Sequence, residues 1–172
     1  MATRIRSAAS CERPLSKVEP LVLEIDGREQ QPLAFPVGIT TSRVTLPVGD
    51  YTATWAGERA PWVIERKALG DLFGSYASGY EKERAKFLKA ADLGITFHLA
   101  IEASLTEVRR GHTYWAKGES HSPRKDGVAQ VRQLMTITHR YGVPIHFFAG
   151  RLEMAWWVLE FAQGWVRSLE ST

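Results

Sequence analysis

The sequence predicts an α/β fold in which a central mixed β-sheet is flanked by helices. Short runs of β-branched and aromatic residues alternate with longer segments of helical periodicity, and turn residues separate them. The chain has 172 residues, of which 44% are hydrophobic and 24% charged, as in an ordinary globular protein of one domain. We therefore expect a single domain over residues 21–172, preceded by a disordered leader at residues 1–20.

The first half of this domain is predicted to form a β-meander. Runs rich in strand-forming residues occur at 21–25, 42–46, 51–55 and 62–67. The second and third runs flank the tetrapeptide Pro-Val-Gly-Asp at 47–50, whose composition is typical of a tight turn. We therefore expect mostly antiparallel pairing among these four strands.

Helices and strands alternate in the second half. Residues 69–91 have a helical pattern, but Gly79 interrupts it and predicts two helices rather than one. A later helix is predicted with Ser122 as its N-cap and Gly142 just beyond its end. The other predicted elements are strands at 95–102 and 143–149 and a last helix at 151–170.

Charge and cysteine content narrow the class of protein. Lysine and arginine number 22 and aspartate and glutamate 19, a mild basic excess that permits a polyanionic partner without requiring one. The single cysteine excludes an internal disulfide and favours a reducing compartment. No apolar run has the length of a membrane span. We expect a cytoplasmic, nucleoid-associated protein, or a nuclear one in a eukaryote, that is neither secreted nor membrane-bound.

A buried strand is predicted to carry Glu65, Arg66 and Lys67 to its end. Because side chains alternate across a strand, Glu65 and Lys67 should share one face and Arg66 should lie on the other. A carboxylate beside an ammonium group suits phosphodiester hydrolysis, in which the carboxylate holds Mg²⁺ and the lysine neutralises charge on the phosphate. A structural salt bridge explains Arg66 equally well.

Mg²⁺ needs further oxygen ligands, and acidic residues precede the strand. Asp50 follows a glycine in a tight turn, and a short hairpin connects it to the strand of Glu65. Asp26 and Glu29 come at and just beyond the end of the first strand, where α/β sheets usually place ligands. An aspartate beside a glycine is, taken alone, more often a turn residue. Their occurrence together with the carboxylate and lysine of the strand favours a metal site.

Two motifs, Gly-Asp-Tyr at 49–51 and Glu-Arg-Lys at 65–67 followed by Asp71, resemble the GDxₙERKxxxD signature of the XPF family of structure-specific endonucleases and its Hef relatives. Residues 22–30 are similar to the first strand of that family, and residues 71–80 stand where its next motif stands. The resemblance runs from about Leu21 to Ala149. It implies a restriction-endonuclease-like core that cuts branched, flapped or forked DNA with Mg²⁺ or Mn²⁺.

The same resemblance assigns roles to the residues of the metal site. The carboxylates that hold the metal would be Asp26, Asp50 and Glu65, with Glu29 as a further candidate. Lys67 would be the catalytic lysine.

Three other residues would assist, again by resemblance. Arg66 and Asp71 would organise the site, and Arg28 would lie near the scissile phosphate. Asp71 has an alternative explanation of about equal weight, because an aspartate is also a favoured cap for a helix that begins near Leu72.

The chain departs from the family in two respects. The family commonly has an arginine after the glycine at 79, where this chain has Tyr80, so that Arg84 or Lys82 would have to supply a phosphate contact. Many family members also carry a pair of helix-hairpin-helix motifs that grip DNA. We expect these 172 residues to contain the nuclease domain alone.

The segment 108–125 is predicted to bind DNA. Basic residues outnumber its one glutamate, and Tyr114 and Trp115 lie among them, so that phosphates could be neutralised while an aromatic ring stacks on an unpaired base. The alternative is a solvated loop with Trp115 in the core. The proposed DNA contacts are Arg109, Arg110, Lys117, Arg124, Lys125 and Arg84.

The last predicted helix is apolar on nearly every side. Trp156 and Trp157 lie away from the apolar stripe that joins Met154 to Trp165, and a helix of this kind is normally covered on more than one face. We expect one face to cover the sheet and another to contact a second copy of the chain or a partner subunit. Burial within the same chain is the alternative.

Two functions from different classes agree with these observations. The first is a Mg²⁺- or Mn²⁺-dependent endodeoxyribonuclease that acts in DNA repair or recombination. The second is a non-catalytic DNA-binding or scaffold subunit that keeps the nuclease fold. The complete set of acidic residues together with Lys67 favours the enzyme. A sequence-specific nuclease would also need base readout, for which the sequence has no visible element.

Overall fold

The computed structural model describes residues 20–78, 80–112 and 126–171. Residues 1–19 of the predicted leader, and Lys117, Arg124 and Lys125 of the basic segment, lie outside the described residues. The described strands are β1 (Val22–Asp26), β2 (Thr40–Val44), β3 (Tyr51–Trp55), β4 (Glu58–Arg59), β5 (Trp62–Ala68), β6 (Thr96–Glu102) and β7 (Ile145–Phe147). The described helices are α1 (Leu69–Ser78), α2 (Tyr80–Asp92), α3 (Leu105–Arg110), α4 (Gly127–Tyr141) and α5 (Arg151–Glu170).

The strands form one mixed sheet, as the sequence predicts. Their order is β2-β1-β3-β5-β6-β7, and β4 pairs with β3. β3 runs antiparallel to its neighbours β1 and β5, whereas β5, β6 and β7 run parallel to one another. The C-terminal ends of β1, β5 and β6 and the start of β3 therefore lie at the same edge of the sheet.

The predicted meander is wrong for β2. This strand pairs in parallel with β1, with Asp26 opposite Val44, instead of forming a hairpin with β3. The segment after β2 crosses the end of β1, because the carboxylate of Asp26 accepts a hydrogen bond of 2.8 Å from the Leu46 amide and the Gly27 amide donates to the Val44 carbonyl at 2.7 Å. The Pro-Val-Gly-Asp sequence thus turns the chain across a neighbouring strand.

The two faces of the sheet are covered by different helices. Alternate residues of β5 and β6, such as Val63 and Leu99, pack with α1, α2, α3 and α4. The residues between them, such as Ile64 and Ala100, pack with α5. Because alternate side chains face opposite sides, the side chains at the end of β5 are also divided between these two layers.

α1 ends at Ser78 and α2 begins at Tyr80, and Gly79, at which the sequence predicts the break between two helices, lies outside the described residues. α4 begins later than predicted. Its N-cap is Asp126, whose carboxylate accepts hydrogen bonds from the amides of residues 128 and 129 at 2.8 and 3.2 Å. Ser122 lies outside the described residues. Gly142 ends the helix as predicted, in the left-handed conformation that favours glycine.

α5 covers the second face of the sheet with only part of its apolar surface. Met154 and Val158 are fully buried, whereas Leu152 and Trp156 are 71% and 48% exposed. Trp157 stacks on Phe161, with ring centroids 5.1 Å apart. Within the described part of the chain, none of the helices has the length and apolar character needed to cross a membrane.

Two histidines lie between the sheet and α5 and should make stability depend on pH. His98 Nδ1 and His146 Nε2 are 3.1 Å apart, and Trp157 and Phe161 lie against the His98 ring. Burial and the neighbouring His146 lower the pKa of His98 to about 4, and burial also lowers the pKa of His146. An unfolded histidine has a pKa of about 6.5, so the neutral native pair stabilises the fold above that pH and the stabilisation is lost as the pH falls toward 4.

We therefore expect the free energy of unfolding to fall between pH 6.5 and 4.5 by up to about 1.4 kcal/mol per pH unit for each proton taken up. Urea denaturation of the native chain and of His98→Gln over this range would measure the difference. The variant should have the shallower pH dependence. Parallel curves would contradict the assignment to His98.

Candidate active site

The three predicted metal-site carboxylates come together because of the directions of their strands. Asp26 ends β1, Asp50 immediately precedes β3, and Glu65 lies near the end of β5. The Asp26 amide donates to the Asp50 carbonyl at 2.8 Å, and the Asp50 amide donates to the Ile64 carbonyl at 2.8 Å. Main-chain hydrogen bonds between neighbouring strands thus place the three acids at one edge of the sheet.

The glycine before Asp50 has a structural reason. Gly49 has a φ of +78°, a conformation that favours glycine. A Cβ atom here would also collide with the side chain of Val63 and lie 3.3 Å from the Ile64 carbonyl oxygen. Only glycine therefore brings the turn close enough to β5 to present Asp50 beside Glu65.

The carboxylates open onto a cleft with a basic wall. The cleft has a volume of about 400 Å³, and its acidic side is formed by Asp26, Asp50 and Glu65. The basic residues that line it are Arg28, Lys82, Lys86 and Lys89. A second hollow shares Asp50 and Glu65 and continues toward Glu29, Arg66, Lys67, Asp71 and Ser75. Glu65 is therefore reached from two adjoining hollows, of which the first has the basic wall that would suit a polyanion.

Asp50 and Glu65 form an electrostatically strained pair. Burial and the charge of Glu65 raise the pKa of Asp50 to about 7, although the Arg66 amide donates to its Oδ2 at 2.8 Å. Glu65 is 5% exposed. Two adjacent buried carboxylates repel each other unless a cation neutralises them, and oxygen donors of this kind are what Mg²⁺ and Mn²⁺ prefer. The pair therefore fits a divalent cation.

The other two predicted metal ligands already have arginine partners. Asp26 accepts hydrogen bonds from the Arg28 amide at 2.8 Å and from its Nε at 2.7 Å. Although burial opposes it, these hydrogen bonds lower the pKa of Asp26. Glu29 accepts from Arg66 at 3.0 and 3.1 Å. Among the described residues, no group of three or more acidic, histidine or cysteine side chains forms a ready-made metal site.

Arg66 lies on the opposite face of β5 from Glu65, as strand alternation predicts. Its guanidinium contacts Glu29 at 3.0 Å and Glu102 at 3.1 Å, and the Arg66 side chain is only 9% exposed. Arg151 of α5 contacts the other oxygen of Glu102 at 3.0 Å. These contacts support the structural salt bridge for the Arg66 side chain, while its backbone amide holds Asp50.

Lys67 is held by two glutamates, and the sequence motifs point to only one of them. Its Nζ lies 3.2 Å from Glu65 Oε1 and 2.9 Å from Glu83 Oε1. Burial lowers the pKa of Lys67, but the charges of these two glutamates outweigh it and raise the pKa overall. Glu83 is 5% exposed and shares the buried face of α2 with Phe87 and Ala90. The sequence does contain a signal for Glu83, because it is an acidic residue at a helix position whose neighbours on the same face are apolar.

The residues of α2 divide between the cleft and the outer surface. Lys86 Nζ contacts Glu65 Oε1 at 2.5 Å, and Lys82 lines the cleft beside it. Arg84 instead pairs with Glu81 at 3.1 Å on the exposed surface. Of the two candidates for the missing arginine of the family, Lys82 is therefore the one that faces the acidic residues.

Three other predicted site residues, Asp71, Arg109 and Arg110, lie on helices that follow the ends of β5 and β6. α1 begins at Leu69 because β5 passes directly into it, so the alternative explanation of Asp71 as the N-cap is wrong, although Asp71 does lie in the first turn, where the helix dipole favours an acid. Arg109 lies on α3, which follows the end of β6 and borders a separate hollow with Arg110. The roles of all three in binding or catalysis stay predictions.

Comparison with known proteins agrees with this geometry. Residues 25–161 match the family model described as the ERCC4 domain. The structure titled XPF from Aeropyrum pernix matches with a TM-score of 0.58 and 18% identity, covering 82% of this chain and 64% of that chain. Its complex with DNA matches with a TM-score of 0.58 and 15% identity, covering 86% and 66%. A comparison with curated proteins finds no match.

The family match covers most of the chain, and this chain spans slightly less than two thirds of each archaeal structure. At these identities the structural likeness shows the fold, and the restriction-endonuclease-like core predicted from the resemblance is confirmed. The chain therefore belongs to the ERCC4 domain family, with the fold of an XPF nuclease domain.

Proposed function

We propose that the chain is a metal-dependent endodeoxyribonuclease whose substrates are branched, flapped or forked DNA molecules of repair or recombination. The observation that carries this proposal is that Asp50 and Glu65 lie together in a cleft whose other wall is basic, while Lys67 contacts Glu65 at 3.2 Å from the adjoining hollow. Family membership supports a nuclease, and the match to an XPF structure in complex with DNA supports DNA as the partner.

Asp50 and Glu65 would hold Mg²⁺ or Mn²⁺, with water and phosphate oxygens as the remaining ligands. The bound ion would supply an activated water and neutralise charge on the phosphate. Lys67, fixed between Glu65 and Glu83, would stabilise the charge that develops on the phosphate oxygens. The two oxygens of Asp26 already accept four hydrogen bonds, so Asp26 would become a ligand only by giving up one of them.

Cleavage of matched DNA substrates would test the proposal. A flap, a fork, a four-way junction and a plain duplex of the same sequence would each be incubated with Mg²⁺, Mn²⁺, Ca²⁺ or EDTA. We expect the branched substrates to be cut faster than the duplex, with Mg²⁺ or Mn²⁺ only. Cleavage undiminished by EDTA would contradict the metal site. Tight DNA binding without cleavage under every condition would favour the scaffold subunit instead.

We also propose that α5 forms a contact with a second copy of the chain or a partner subunit. Leu152, Trp156 and Leu169 are exposed large apolar side chains of this helix, and an isologous contact would cover them. Trp157 and Trp165 pack within the same chain, so the contact would involve Trp156 rather than all three tryptophans.

Light scattering at roughly tens of micromolar, where weak interfaces still form, is expected to give the mass of a dimer. Trp156→Ser should shift the mass toward the monomer without lowering the melting temperature, because this side chain is 48% exposed. A monomeric mass for the native chain at that concentration would contradict the proposed homodimer.

A further inference from the structure

Lys86 occupies an unusual position for a surface lysine. Its ammonium group lies 2.5 Å from Glu65 Oε1 and 3.4 Å from Glu83 Oε1. Lys67 contacts the same two oxygens at 3.2 and 2.9 Å. Two lysines thus neutralise two glutamate side chains that are each only 6% exposed.

The two lysines differ in how firmly they are held. Lys67 projects from β5 and its side chain is 9% exposed, whereas the Lys86 side chain is 35% exposed. Lys86 lies on α2 between Lys82 and Lys89, and all three line the cleft. A lysine has a flexible four-carbon stem, so Lys86 can turn from Glu65 into the open cleft without disturbing the core.

Lys86 and a divalent cation would compete for the same carboxylate. Glu65 is one of the two acids proposed to hold the metal, and a cation bound there would repel an ammonium group on the same oxygen. Lys86 also acts on Asp50, because its charge lowers the pKa of that carboxyl against the larger effects of burial and Glu65. Lys86 is therefore a direct counter-ion of Glu65 and a nearby positive charge for Asp50.

We propose that Lys86 is an exchangeable counter-ion: it neutralises Glu65 while the cleft is empty, and binding of the metal releases it to contact a DNA phosphate beside Lys82 and Lys89. This inference rests on the proposed function, because it requires the metal site at Asp50 and Glu65. Release of Lys86 makes binding of metal and binding of DNA mutually favourable, since a coupling between two ligands is reciprocal.

The first test measures Mn²⁺ binding by calorimetry without DNA. Lys86→Gln removes the competing charge, and we expect it to bind Mn²⁺ roughly tenfold more tightly than the native chain, within the usual range of coupling between sites. Lys89→Gln, which removes a charge from the same wall of the cleft, is the matched control and should stay within about twofold. An equal or weaker affinity in Lys86→Gln would overturn the exchange.

Glu65→Gln in the same titration separates the exchange from the metal site. If Mn²⁺ binding depends on Glu65 but is unaffected by Lys86→Gln, the metal site stands and the exchange is wrong. If Glu65→Gln binds Mn²⁺ as well as the native chain does, or if no variant binds it, the proposed metal site is wrong and the exchange with it.

The second test follows the release of Lys86 through the salt dependence of binding to a forked DNA. Each phosphate contact contributes about one unit to the slope of log K against log salt. In Ca²⁺, which occupies oxygen sites with looser geometry, Lys86→Gln should flatten the slope by about 1. In EDTA it should not change the slope, whereas Lys89→Gln should flatten it under both conditions. The same flattening in EDTA and in Ca²⁺ for Lys86→Gln, or none in either, would overturn the exchange.

Discussion

Glu65→Gln is expected to slow DNA cleavage in Mg²⁺ by at least roughly 10²–10³-fold, the cost of removing one preorganised electrostatic contact. The amide removes the charge that would hold the metal beside Asp50, and it also removes one of the two carboxylate partners of Lys67. Asp50→Asn and Lys67→Ala should have effects of similar size. Single-turnover cleavage of a forked substrate would measure the loss, with circular dichroism to confirm the fold.

Glu24→Gln is the matched control for this prediction. Glu24 lies on β1 of the same sheet and is 8% exposed. It pairs with Arg59 at 2.7 Å and is not one of the residues that line the cleft. This variant should cut DNA at close to the native rate. Full cleavage by Glu65→Gln would contradict the assignment of β5 as the catalytic strand and favour the scaffold subunit.

Arg66→Met is expected to destabilise the chain by about 3–5 kcal/mol, because it leaves the Glu29 carboxylate buried without its cation and leaves Glu102 paired with Arg151 alone. The Glu29 and Glu102 side chains are 6% and 11% exposed, and Arg66 contacts both at about 3 Å. Arg66 is well buried, so solvent screens these contacts weakly. Urea denaturation at pH 7 would measure the loss as a lower midpoint with an unchanged slope.

Arg59→Met provides the comparison for this loss. The Arg59 side chain is 49% exposed in its pair with Glu24, and an exposed ion pair contributes only about 0–1 kcal/mol. A loss of stability in Arg66→Met no larger than that in Arg59→Met, together with loss of cleavage, would assign the Arg66 side chain to the chemistry instead of the fold.

The features that the sequence predicts correctly depend on local geometry. Alternation along a strand is a property of a few consecutive residues, and it places Glu65 and Lys67 on one face of β5 and Arg66 on the other, as the structure confirms. The end of α4 at Gly142 is equally local, because it depends on one glycine in the left-handed conformation.

The features that the sequence does not predict depend on contacts between distant segments. β2 carries the pattern of a hairpin strand, yet its partner is β1, because the Asp26 carboxylate holds the Leu46 amide. Lys86 looks like an ordinary helix residue, and the position of Glu83 on the apolar face of α2 does not identify its partner, because both contacts form only when α2 packs against β5. Arg66 contacts Glu102 of β6, which lies 36 positions further along the chain. No pattern of neighbouring residues in the sequence indicates this pairing.

The hydrogen bonds that hold Asp50 also determine how the site should respond to unfolding of the chain. Its amide is bonded to β5, its carbonyl to β1, and its side chain to the Arg66 amide. Separating the two acids therefore requires breaking the ladder between central strands, which are the last part of a domain to open in most proteins. Partial unfolding of the helices that cover the sheet would leave Asp50 and Glu65 in their relative positions. Inactivation by heat should accordingly be a single cooperative event that coincides with global unfolding.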